Sequence, residues 1–242
     1  MLCGPATADF PAVIATVKPS VVGVGSYQRL RSPAVLFNGT GVVVGDGLSV
    51  ITNAHVALEF PNTELKEELG VVIAGEGTAF SFRAATLVAV DKEHDLAHLR
   101  LSAGPPLPAL KLGDSATLRE GRDLAITGFP LGMVLGLHHV THRAMLSAIT
   151  PIIIPAASSR QLDARALMAL QRQPFNIFQL DGTAYPGNSG SPVYDTADGT
   201  VYGIINMTFV KGLKESAISS PSGISYAIPA RYVHELLQRK VP

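Results

Sequence analysis

Short runs of β-branched and small apolar residues, each closed by a glycine or a turn pair, constrain this chain most. In its first half they fall at 21–24, 41–44, 49–52, 70–73 and 86–90, with Asn38-Gly39, Asp46-Gly47 and Gly75-Glu76-Gly77 between them. Asp46-Gly47 between two Val/Ile-rich runs predicts a hairpin, because glycine supplies the positive φ that tight hairpin turns need. A proline-rich connector follows, Gly104-Pro105-Pro106-Leu107-Pro108, and strands resume at 123–127, 144–149, 177–180, 201–207 and 224–228. Many short strands with regular turns predict an all-β barrel or sandwich rather than βαβ units. Residues 158–173 are rich in Arg, Gln, Ala and Leu and read as a helical or mobile insertion. After Pro229, residues 231–238 predict a short helix with Val233, Leu236 and Leu237 on one face. The division expected is 9–104 and 112–229 as two β halves, the second with an insertion near 150–175. Residues 105–111 connect them, and 230–242 form the C-terminal helix.

Composition removes several classes. Hydrophobic residues make up 47% of the 242 and charged residues 16%, enough apolar material for a sizeable core. Nineteen basic side chains balance nineteen acidic ones, so nothing points to nucleic acid as partner. The apolar runs are too short to span a bilayer, and no stable membrane insertion is expected. Cys3 is the only cysteine, which excludes an internal disulfide framework and a thiolate metal cluster. Ala6-Thr7-Ala8 fits the small-x-small pattern before a signal-peptidase cut. Residues 1–8 are therefore read as the remnant of a signal peptide and the protein as periplasmic or otherwise exported, with a cytoplasmic location left open.

Three segments carry chemistry. In Tyr185-Pro186-Gly187-Asn188-Ser189-Gly190-Ser191-Pro192 a serine stands between glycines that permit a tight backbone. Acyl transfer needs such an exposed nucleophile with backbone N–H donors aimed at the developing oxyanion. Thr52-Asn53-Ala54-His55-Val56 places a histidine straight after an apolar strand, and His94-Asp95-Leu96-Ala97 an aspartate at the head of another. Taken singly, each is an ordinary turn or loop residue. Together they supply a nucleophile, a base and a group to fix the base's tautomer.

These segments resemble the three catalytic blocks of the HtrA/Deg branch of trypsin-like serine proteases, in the chain order His, Asp, Ser. Further blocks are similar: 39–44, Leu112-Gly113-Asp114-Ser115, Ile126-Thr127-Gly128-Phe129-Pro130-Leu131-Gly132 and Gly223-Ile224-Ser225-Tyr226-Ala227-Ile228-Pro229. The resemblance runs from about Val21 to Gln238. It implies two perpendicular six-stranded antiparallel β-barrels with a short C-terminal helix. It implies Ser189 as nucleophile, His55 as general base and then acid, and Asp95 as the group orienting the imidazole. Gly187, Ser189 and Asn188 would supply oxyanion-hole N–H groups. Thr183, six residues before the nucleophile, would lie at the base of the primary specificity pocket, with Ile204, Ile205, Asn206, Ile224 and Tyr226 lining it. A Thr there gives no reason to favour Arg or Lys, so cleavage of polypeptides after small or medium apolar residues is expected. No cofactor is implied, and a homo-oligomer, as in the trimers of this branch, is a further expectation.

Departures accompany the match. Ser191 stands where a second glycine is usual, His98 where an aliphatic residue is usual, and the resemblance stops short of any PDZ domain. His138, His139 and His142 invite a metal reading. Strand alternation would put His139 on the face opposite the other two, and they are read instead as a solvated edge. The G-x-S-x-G elbow of α/β-hydrolases is absent. The rival function is a gated or catalytically silent member of the same fold that binds peptides as a chaperone does.

Overall fold

The structure, a computed structural model, describes residues 9–58, 67–75, 79–102, 104–132, 136–152, 175–206 and 223–239. Six strands, β1 (Val21–Tyr27), β2 (Val35–Val44), β3 (Ser49–Thr52), β4 (Glu68–Ala74), β5 (Phe80–Asp91) and β6 (Leu96–Leu101), close an antiparallel barrel in the order β1-β2-β3-β6-β5-β4. Six more, β7 (Asp123–Gly128), β8 (Val140–Pro151), β9 (Asn176–Asp181), β10 (Pro192–Asp195), β11 (Val201–Ile205) and β12 (Ile224–Pro229), close a second in the order β10-β11-β12-β9-β8-β7. Closure leaves neither sheet with an unpaired edge, which suits a chain of many short, apolar strands. Among the described residues the α-helices are α1 (Phe10–Val17), α2 (Ala54–Leu58) and α3 (Ala230–Gln238). No described helix is long and apolar enough to cross a membrane.

The hairpin expected at Asp46-Gly47 joins β2 to β3 with Val43 opposite Val50, and Gly45 and Gly47 both take positive φ. The connector is held to both barrels. Leu110 bridges Val44, Leu112 bridges Val201, and the Arg83 guanidinium donates to the carbonyls of Gly104 and Pro105.

Apolar side chains gather in three clusters. One fills each barrel, around Val50, Val71 and Leu99 in the first and Leu124, Leu146 and Leu180 in the second. The third lies between them and takes in Val42, Ile51, Leu96, Phe129, Tyr194, Ile204 and Tyr232. Fully burying a side chain of this kind contributes about 1.5–3 kcal/mol, so the two barrels are bonded along a face and not merely tethered.

Three findings differ from the sequence expectation or fall outside it. Helix α1, with the β-branched sequence FPAVIATV, forms because Pro11 is tolerated in a first turn and because Val17 is completely buried in the shared core. Packing overrides local propensity there. His138 and His139 precede β8 rather than alternating along it, and of the three only His138 is exposed as a solvated edge requires. His139 Nε2 bonds the Val21 carbonyl at 2.8 Å and its ring lies on Phe129, while His142 Nε2 is buried without a partner. Burial lowers the pKa of both imidazoles, outweighing the Val21 hydrogen bond at His139. The insertion read at 158–173 lies outside the described residues.

Candidate active site

His55 is presented by α2, directly after β3 ends at Thr52. Asp95 comes from the turn between β5 and β6 and has φ +52, a left-handed conformation that costs a residue with a Cβ on the order of 1–3 kcal/mol. Hydrogen bonds to its carbonyl from the backbone N–H of Ala54 (3.0 Å) and from Asn53 Nδ2 (3.1 Å) tie that turn to the start of α2. The carboxylate then meets His55 twice: Oδ1 accepts from the His55 backbone N–H at 2.9 Å and Oδ2 from Nδ1–H at 2.6 Å. That fixes the proton on Nδ1 and leaves Nε2 as the basic nitrogen. Asn206, immediately after β11, donates its Nδ2 to the same Oδ2 at 2.7 Å. Burial raises the Asp95 pKa, but the bonds and charge of His55 and the Asn206 amide outweigh it and hold the carboxyl below the usual range. Asp95 is therefore ionised at neutral pH.

Ser189 sits in the turn between β9 and β10, in the second barrel. This turn is sewn to β2 of the first. Thr40 N–H donates to the Ser189 carbonyl at 2.8 Å, and Thr40 Oγ1 donates to the Gly187 carbonyl at 2.7 Å while accepting from Phe129 N–H at 3.2 Å. The turn is so close to β2 that a Cβ on Gly190 would lie 1.9 Å from the Thr40 carbonyl oxygen. Gly187 and Gly190 also adopt φ +99 and +89, which favour glycine.

The backbone N–H groups of this turn fall into two sets. Those of Asn188, Gly190 and Ser191 donate to Tyr185, Ile205 and Asn188 carbonyls respectively. Among the described residues, the N–H groups of Gly187 and Ser189 have no acceptor and remain uncommitted. Asn188 is thereby removed as an oxyanion donor, since its N–H closes the turn, and its side chain is buried beside Ser191 and Gly128 with both polar atoms unpartnered. No hydrogen bond joins Ser189 Oγ to His55 in this state.

The expected specificity pocket is only partly assembled. Ile204 and Ile205 are completely buried, the first between the barrels and the second inside barrel two, so neither can wall an open pocket. Asn206 turns to Asp95 instead. Ile224 and Tyr226 share a face of β12, Ile224 exposed and Tyr226 half-buried. Thr183 opens onto a cleft lined by Asp123, His142, Met145, Asp181 and Tyr185, which includes none of those five. Asp181 belongs to that cleft. Among the described residues no group of three or more His, Cys, Asp and Glu side chains could hold a metal ion. His98, on β6, is half-buried with Nε2 unpartnered and its pKa lowered by burial.

Two closed six-stranded antiparallel barrels, with an imidazole–carboxylate pair on one facing a glycine-flanked serine on the other, define the trypsin-like fold. Residues 39–204 match the trypsin-like peptidase domain family, and the chain belongs to that family. It is 31% identical over 207 residues to the mitochondrial serine protease HTRA2 of Drosophila pseudoobscura pseudoobscura and 32% identical over 207 residues to that of Drosophila virilis. Each alignment covers 86% of this chain and 40% of the relative, so the chain spans about two fifths of the length of the curated relatives it matches. Among solved structures it resembles the HtrA-type protease AlgW with decapeptide, at TM-score 0.67 and 22% identity, covering 95% of this chain and 66% of the other. An inactive serine-to-alanine form of Rv3671c from M. tuberculosis H37Rv gives TM-score 0.63 at 24% identity, covering 98% and 93%.

Proposed function

We propose that this chain is a serine endopeptidase acting on unfolded polypeptides through a Ser189, His55 and Asp95 triad. The observation that carries the reading is the double clamp of Asp95 on His55, at 2.9 and 2.6 Å, opposite a serine turn with two uncommitted N–H groups. Ser189 Oγ attacks the scissile carbonyl carbon while His55 Nε2 takes its proton. Asp95 holds Nδ1–H and stabilises the imidazolium. The oxyanion forms against the N–H groups of Gly187 and Ser189, each worth about 2.7–4 kcal/mol by comparison with such donors elsewhere. His55 then gives its proton to the leaving amine, whose C–N bond breaks to leave an acyl-Ser189 ester. Water, deprotonated by the same nitrogen, attacks that ester and regenerates the serine. Thr183 itself offers no carboxylate to select Arg or Lys, which is the ground for cleavage after small or medium apolar residues; Asp181, in the same cleft, would draw a basic residue instead.

A gated state is the second reading, favoured by the absent Ser189–His55 hydrogen bond, although such bonds often tighten only when substrate binds. Both are tested by incubating the protein and its Ser189→Ala variant with casein and sequencing the fragments by mass spectrometry. Cleavage by the native protein alone supports the triad. Cleavage by neither, with no fluorophosphonate labelling of Ser189, refutes the endopeptidase and leaves the gated or peptide-binding form.

A further inference from the structure

Behind the triad lies a second imidazole–carboxylate pair. His94, the residue before Asp95, is 9% exposed, and its ring Nδ1–H donates to Asp91 Oδ2 at 2.8 Å while its backbone N–H donates to Asp91 Oδ1 at 3.1 Å. One face of the ring stacks on Tyr232 at 3.8 Å and 19°, and Phe175 meets it edge-on at 4.5 Å. Asp91, 2% exposed, also accepts from the Glu93 N–H at 3.0 Å and from Arg239 Nη2 at 2.6 Å. Tyr232 lies on α3 and Arg239 caps its end. None of these groups bonds Ser189, His55 or the Asp95 carboxylate.

Their position gives them a task. A left-handed conformation is strained for a residue with a Cβ, less so for Asp than for most, and is held by what surrounds it. Asp95 is fixed on one side by Asn53 and Ala54, through its carbonyl. On the other side it is joined to His94, which is held at its backbone N–H, its ring nitrogen and its ring face at once. Rotation of the turn would swing the Asp95 carboxylate off the two His55 donors.

We infer that His94 is a positioning residue: the His94–Asp91 pair, braced by Tyr232 and Arg239 of the C-terminal helix, aims the Asp95 carboxylate at His55. The inference rests on the endopeptidase reading above. It makes α3 a support of the catalytic carboxylate and not only a cover for the core.

The test compares the native protein with His94→Ala, His94→Asn and Arg239→Gln, using a quenched fluorescent peptide that carries one bond cut in casein and a fluorophosphonate label for Ser189. A misplacement of about 1 Å in a reacting group can cost on the order of a hundredfold. His94→Ala should therefore lower kcat and the labelling rate about 10- to 100-fold, with KM within twofold. His94→Asn, which keeps a donor for Asp91, should recover part of that loss. Arg239→Gln removes one exposed brace, leaves the fold intact, and should lower kcat several-fold in the same pattern. It decides the matter if His94→Ala does not fold. Variants that lose thermal stability but keep kcat and the labelling rate overturn the inference alone. A native protein inert to peptide and label overturns the endopeptidase reading, and the inference falls with it.

Discussion

Thr40→Val removes one oxygen from the seam between the barrels and nothing else of consequence. Thr40 is completely buried, and its hydroxyl joins the Gly187 carbonyl to the Phe129 N–H. Valine keeps the side-chain volume but leaves both backbone groups without a partner. A buried polar group so orphaned costs about 1–3 kcal/mol, so the pair predicts a loss of about 2–4 kcal/mol, with the half-exposed Gly187 carbonyl at the low end. In a chain of this length each kcal/mol lowers Tm by roughly 2–4 °C, giving a fall of roughly 4–16 °C. Thr40→Ser keeps the hydroxyl and gives up one methyl, a loss of about 1 kcal/mol. The order is the test: serine should be milder than valine in urea denaturation, although valine is closer in shape. The same order should hold for casein cleavage, because the Gly187 peptide supplies a proposed oxyanion donor. If serine is the more damaging variant, packing and not hydrogen bonding holds the serine turn to β2, and the account given of that seam is wrong.

Asn206→Leu deletes the amide that bonds Asp95 Oδ2. Hydrogen bonds to charged groups are worth about 1.5–3 kcal/mol, so kcat on the casein peptide should fall about 10- to 100-fold, and an unchanged kcat would remove Asn206 from the site. Stability should fall on acidification in two windows. The pKa values of the half-buried His98, His139 and His142 are depressed in the fold, so the unfolded chain takes up their protons first and stability declines as pH drops below about 6.5. At Asp91 burial raises the pKa, but the His94 bonds and Arg239 outweigh it and the folded value is lowered, as at Asp95. Stability from these two carboxylates is fully present above about pH 4 and lost as pH falls further. Denaturation midpoints across pH should show both declines, His142→Gln flattening the upper and Asp91→Asn the lower; a single decline below pH 4 would count against the histidine assignment.

Strand positions were legible because Val/Ile runs and glycine turns repeat on a short period, and the proposed triad because its three segments occur together in the chain order His, Asp, Ser. What stayed hidden depends on what covers each face. Ile204 and Ile205 read as pocket walls on the family resemblance, but β11 lies between two cores and both are buried. Helix α1 was hidden by its β-branched sequence, its cause being the burial of Val17. Asn206 had a local mark, a polar residue ending an apolar strand, yet its partner lies 111 positions back. Asn188 was misassigned because only the folded turn shows which of its N–H groups are already bonded. Asp91 and His94 carried a faint signal, two ionisable groups three apart before Asp95, with no hint of the C-terminal helix they meet.

The Asp95 carboxylate is clasped from both barrels, by His55 of the first and Asn206 of the second. During synthesis the ribosome delivers the base and its carboxylate long before the amide that completes them. At about 5–20 residues per second, the 111 positions between Asp95 and Asn206 take on the order of ten seconds to emerge. Through that interval a nascent chain carries only half of the proposed site. On the proposed function, hydrolytic competence would arrive only as the second barrel docks.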